Sequence, residues 1–230
     1  RSRRQRQMCI RDRIRETIDY SVENNITFAD IMINEEMERE GISRDEVRER
    51  MKQNLEVMRD AVEKGTTGEG VESVTGYTGH DAAKLRDYNE KNHALSGREM
   101  IEAVKGAVAT NEVNAAMGII CATPTAGSSG TIPGVLFKLE KTHDLTEDQM
   151  VDFLFTSALF GRVVANNASV AGATGGCQAE VGSASAMAAA ASVAIFKGTP
   201  EQSGHAMALA ISNLLGLVCD PVAGLSLIHI

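Results

Sequence analysis

Hydrophobic positions recur at helical spacing along most of this chain. From Phe28 to Glu40, Ile31, Met32, Glu35 and Glu36 fall at helical intervals, and Gly41 follows as a plausible C-cap. Val47, Met51, Leu55, Met58 and Val62 then recur every three to four residues, one apolar face of a helix of about 20 residues. Together the two segments predict a helical hairpin. Ser or Thr followed three residues later by Glu or Gln marks a helix start, and this signature occurs at Ser43, Ser96, Thr146 and Thr199. In the last, Pro200 takes the first helical position, where its missing N–H costs nothing. Further helical signal runs from Arg98 to about Val108 and from Glu147 to Asn167, whereas Gly65 to Gly79 has no sustained period and reads as a long irregular loop. The apolar/polar alternation of half-buried strands is scarce, so the predicted fold is mostly α.

Composition narrows the class. The 230 residues are 43% hydrophobic and 23% charged, the balance of a globular protein with one main core. A net charge of −8 with no basic stripe beyond the first residues argues against a nucleic-acid partner. The longest apolar run, the 13 residues from Ala184 to Phe196, is shorter than the roughly 20 needed to span a bilayer, so it predicts a buried helix and no membrane segment. The Arg-rich start carries no apolar signal core, and a cytoplasmic setting with reduced thiols is expected.

Both ends look foreign. Residues 1–13, RSRRQRQMCIRDR, and 225–230, LSLIHI, resemble translated adaptor sequence. They are expected to be a non-native leader and tail around one domain, 14–224, truncated at its C-terminus. Cys9 and His229 are set aside with them.

Three Gly-rich segments precede helical stretches: Thr75 to Gly79, Pro124 to Gly130 and Gly172 to Cys177. Glycine allows close backbone approach, and the free N–H groups of a helix start bind anions; taken alone, any one such cluster is a weak signal and reads first as an ordinary turn. Cys177 and Cys219 are too far apart in sequence for the short spacings of zinc or redox motifs, and by themselves read as core cysteines. Ala, Gly and Ser dominate Ala171 to Ala194, which predicts helices packed through small side chains. Cys121, Met100, Met117, Met187 and Met207 are read as packing residues.

The surroundings of the two cysteines change their weight. Gly175 to Met187 (GGCQAEVGSASAM) and Asn213 to Gly224 (NLLGLVCDPVAG) closely resemble the two cysteine motifs of the iron-sulfur-dependent L-serine dehydratase alpha chain. Pro124 to Gly130 (PTAGSSG) is similar to a third motif of that family, and Thr75 to Leu85 to its Gly-Thr loop followed by Asp-Ala-x-Lys-Leu. The resemblance covers roughly Ile14 to Gly224.

It implies a helical domain with Gly-rich substrate and cluster loops, a lyase that converts L-serine to pyruvate and ammonia, and a [4Fe-4S] cluster held by three cysteines with one iron open to substrate. Cys177 and Cys219 match two of the ligands. The third family cysteine, in a Val-Pro-Cys context, falls at position 230, where this chain has Ile230. The resemblance places the substrate carboxylate on Thr125, Ala126, Gly127, Ser128, Ser129 and Gly130. It also implies an oligomer with a beta chain or domain that carries the candidate base. Within this chain His80, His93, His143 and His205 remain candidates, none of them in a cysteine motif.

Rival readings are a cysteine desulfidase-like or other lyase on the same domain, a non-catalytic cluster-binding scaffold, and a pyridoxal-phosphate dehydratase. The last lacks an α/β strand pattern around the Gly-Ser loop and a lysine in a recognisable apolar site.

Overall fold

The computed structural model describes residues 13–91 and 94–215, together with the backbone of 221–222 and 225–226. Thr27, Ser43, Thr146 and Thr199 each turn extended backbone into a helix, accepting with their hydroxyls the N–H of the third residue on. Thr146 and Thr199 form the full reciprocal box with Gln149 and Gln202. The expectation at Ser96 fails by one residue. Gly97 is the N-cap there, at φ 83° and ψ 155°, and no side chain caps that helix.

The described helices are α1 (Ile14–Asn24), α2 (Phe28–Glu40), α3 (Arg44–Thr67), α4 (Asp81–Lys91), α5 (Arg98–Ala115), α6 (Thr131–His143), α7 (Glu147–Asn167), the short α8 (Gly172–Gly175), α9 (Cys177–Ile195) and α10 (Pro200–Leu214). A two-residue antiparallel pair, β1 (Pro221–Val222) and β2 (Leu225–Ser226), follows. The mostly α expectation is met. No helix among the described residues is long and apolar enough to cross a membrane.

Two helix boundaries move from their expected places. α3 runs through Thr67 and is capped by Gly68, so the loop begins three residues later than Gly65. Packing explains the extension: Gly65 lies so close to α5 that a Cβ there would stand 2.2 Å from the Ala109 carbonyl oxygen. α5 in turn continues to Ala115, past Val108, because Ala109 and Val113 are buried on the same face. All three Gly-rich segments do lead into helices, α4, α6 and α9.

The core gathers around α2, α3, α6, α7 and α9. Phe28 meets Phe160 edge-on at 5.0 Å between ring centroids, joining α2 to α7, with Ile31, Ile33, Leu136, Phe153 and Leu159 buried around them. Charged clasps close its rim. Arg48 of α3 reaches Asp152 at 2.6 Å and Asp148 at 3.0 Å on α7. Arg59 grips both oxygens of Glu140 on α6 at 3.0 and 2.7 Å while its guanidinium rests over the Phe137 ring. Met187 and Met207 fill core gaps as expected, but Met100 and Met117 are exposed, Met117 by 81%. Met117 occupies a turn at φ 62° beyond the end of α5, off its buried face.

Candidate active site

α5 and α6 position the first part of the site by backbone proximity. A Cβ at Gly130 would lie 2.1 Å from the Ala107 carbonyl oxygen, so only glycine lets the start of α6 seat on α5. That contact fixes the Pro124–Gly130 loop. Within it, the Ser129 hydroxyl donates to the Ala126 carbonyl at 2.8 Å and the Ser128 hydroxyl to the Thr123 carbonyl at 3.1 Å. Thr125 Oγ1 and Ser128 Oγ lie 3.1 Å apart, and Asn114 Nδ2 on α5 donates to the Ala126 carbonyl at 3.3 Å. Gly127, Ser128, Ser129 and Gly130 are buried, Thr125 is half-buried and Ala126 is exposed. The serine hydroxyls thus hold the turn itself. One helical turn beyond Ala107, Asn111 Oδ1 is buried with no hydrogen-bond partner.

The second part is the turn into α9. Ser169 Oγ and Thr174 Oγ1 lie 2.6 Å apart, the Ala171 N–H donates to Ser169 Oγ, and the Gly175 N–H donates to the Ala171 carbonyl at 2.9 Å. Gly176 then takes φ 75° and ψ 172°, a conformation that L side chains disfavour, and redirects the chain into α9. Cys177 is the first residue of that helix and only 7% exposed. Its thiol therefore sits at the helix end whose dipole favours negative charge. Cys219 and His93 lie outside the described residues.

One turn after Cys177, Glu180 is 8% exposed and is the single charged side chain of α9. Its carboxylate fills the space left by the missing side chain of Gly172, where a Cβ would stand 2.7 Å from Oε2. Sequence reasoning quoted Glu180 inside a motif without giving it a role. The available signal was a lone acid in a helix otherwise built of small and apolar residues.

The remaining candidates are dispersed. His80 Nε2 lies 3.1 Å from Glu72 Oε1, His143 packs edge-on to Phe196 at 4.6 Å, and His205 is exposed on α10. Cys121 is half-buried against the core, 3.5 Å from the Asn54 carbonyl, and burial pushes its thiol up. Among the described residues no three His, Cys, Asp or Glu side chains converge as a metal-binding group. Lys105 is a buried lysine, 7% exposed between packed helices, but its surroundings are charged rather than apolar. Its ammonium lies 2.6 Å from Glu102, which also receives Lys141 at 3.0 Å. Burial raises the Glu102 carboxyl, yet these two ammoniums outweigh it and hold the group below its ordinary value.

A second buried carboxylate, outside both parts, builds the start of α4. Glu112 of α5 accepts the Asp81 N–H at 2.6 Å and the Ala82 N–H at 3.2 Å, satisfying the start of α4 from another helix.

Comparison with known proteins bears on this geometry. Residues 23–228 match the family described as serine dehydratase alpha chain. A probable L-serine dehydratase alpha chain from Bacillus subtilis (strain 168) is 56% identical over 212 residues, covering 92% of this chain and 70% of that protein. The L-serine dehydratase alpha chain of Peptoniphilus asaccharolyticus is 41% identical, covering 92% of this chain and 72% of that one. The L-serine dehydratase of Streptomyces coelicolor is 38% identical, covering 88% of this chain but 44% of that protein.

Proposed function

The chain belongs to the serine dehydratase alpha chain family, and we propose on that premise that it supplies the cluster- and substrate-binding part of an L-serine ammonia-lyase. The observation that carries this reading is the placement of Cys177, a buried thiol delivered by a glycine turn to the start of α9.

The reaction sets the requirements. L-serine must lose a weakly acidic α proton and a hydroxide, a poor leaving group; the resulting aminoacrylate tautomerises to an imine and hydrolyses to pyruvate and ammonia. When bound, a [4Fe-4S] cluster supplies Lewis acidity toward the β-hydroxyl. The residues described fit such a group in part: Cys177 offers a soft thiolate donor on a backbone that glycine keeps open. Cys219 and a cysteine in place of Ile230 would complete the set.

The Pro124–Gly130 loop receives the substrate carboxylate. Its Ser128 and Ser129 hydroxyls and the Ser129 N–H are committed to loop carbonyls, so we assign the carboxylate to the backbone N–H groups of Thr125, Ala126, Gly127, Ser128 and Gly130 ahead of α6. The proton acceptor belongs to a beta chain or domain. The Streptomyces coelicolor relative supports a further portion, since this chain accounts for 44% of it. Such a cluster enzyme works as an α/β oligomer in a reducing, cytoplasmic setting, in amino-acid catabolism.

The test is anaerobic iron-sulfur reconstitution of this chain and of one ending in Val-Pro-Cys, each assayed for serine-to-pyruvate conversion with a beta chain. The reading expects visible cluster absorbance and activity in the extended chain alone. Absence of iron from both would overturn it, and iron with turnover of L-cysteine in preference to L-serine would favour a desulfidase.

A further inference from the structure

We propose that Glu180 is the residue that receives the α-ammonium of the substrate. This rests on the serine ammonia-lyase reading above and extends it to a group that reading leaves without a partner.

A zwitterionic amino acid brings three polar groups to a site. The carboxylate is assigned to the loop before α6, and the hydroxyl to the cluster side. The ammonium needs an acceptor, and full charge in a dry site calls for a carboxylate. α9 provides one. Glu180 sits three residues after Cys177, so both project from the same side of the helix. It is more than nine-tenths buried, and no hydrogen-bond donor or cation among the described residues pairs with it.

The one other buried acid among the described residues has an evident structural partner. Glu112 accepts two backbone N–H groups. A carboxylate held this far from solvent with no structural partner among the described residues has its acceptor capacity left for a ligand. The geometry also shows accommodation. The carboxylate occupies the gap at Gly172, inside the glycine turn that delivers Cys177, and any side chain at Gly172 would displace it. The group is therefore held against the Gly172 turn, one helical turn from Cys177, with its acceptor oxygens unspent.

The experiment uses the cluster-loaded alpha chain, extended to its third cysteine and assembled with its beta chain. Glu180→Gln keeps the shape and removes the charge; Glu180→Asp keeps the charge. The expected result for Glu180→Gln is a KM for L-serine raised about 30-fold or more, as for loss of one partner of a desolvated ion pair. Inhibition by 3-hydroxypropanoate, which has the carboxylate and hydroxyl but no ammonium, should change less than about twofold, since a ligand without the cation loses no ion pair. Iron per chain should be unchanged, and Glu180→Asp should restore part of the affinity.

Equal weakening of both ligands, loss of iron or a failure of Glu180→Gln to fold would show that the carboxylate is structural and overturn the proposal. A fall in kcat with KM unchanged would reassign Glu180 to proton transfer and overturn it as well. An unsubstituted enzyme that holds iron but does not turn over L-serine would instead refute the underlying reading, and this inference with it.

Discussion

The half of the molecule built on α2, α3, α6 and α7 and the segment from Ala171 to Ile195 bury residues in opposite ways. The first packs large side chains such as Phe28, Ile33, Leu136, Phe153 and Phe160 and closes its edges with Arg48 and Arg59 clasps. The second buries Ala184, Ala186, Ala188, Ala190 and Ala191, with glycine around Cys177 and one carboxylate, Glu180. Large side chains earn stability; small ones let backbone come close to whatever the site holds. Both contribute to one core, the first by bulk and the second by close helix approach, and the second also carries the candidate site residues Cys177 and Glu180 at its start.

Cutting into the first region should have the largest effect on stability. Phe160→Ala removes a ring buried against Phe28 and should cost about 3–5 kcal/mol, read as a shift in the denaturant midpoint. Adding one carbon where helices touch comes next. Gly130→Ala drives a Cβ into the Ala107 carbonyl and should destabilise by about 1–3 kcal/mol while distorting the loop proposed to receive the substrate carboxylate, so thermal stability and substrate affinity should fall together.

Glu102 gives a smaller, pH-dependent effect. Its folded carboxyl is held low, so its contribution is complete above the ordinary carboxylate value and is lost as pH falls through the lower folded value. Denaturant midpoints measured from neutral pH downward should decline less steeply in Glu102→Gln than in the parent chain. At the small end, Met100→Gln on the exposed side of α5 should change stability by no more than about 0.5 kcal/mol.

The two regions were also unequally legible. α2, α3 and α7 announce themselves through apolar spacing and through Ser43, Thr146 and Gly41, since these signals act within one or two helical turns. Thr27 caps α2 by the same hydroxyl bond but has Asp30 three residues on, outside a search limited to Glu and Gln. α4 is capped by Glu112, 31 residues further along the chain, a partner that no local pattern reveals. The reach of α3 through Thr67 depends on contact with Ala109, again a tertiary effect.

In the site, Cys177 and the Pro124–Gly130 loop were visible through motif resemblance. The inward commitment of the Ser128 and Ser129 hydroxyls was not, because hydroxyl direction follows from the folded turn. Glu180 was visible as a letter, yet the role proposed for it rests on its burial, which the sequence does not show.

The most direct test of the contrast compares two thiols in the chain extended to its third cysteine: Cys177→Ala, at the glycine turn, and Cys121→Ala, against the core. After anaerobic reconstitution, iron per chain is measured alongside the unfolding midpoint. The account predicts that Cys177→Ala loses the iron and keeps the fold, while Cys121→Ala retains the iron. Equal iron in Cys177→Ala and the parent would contradict it.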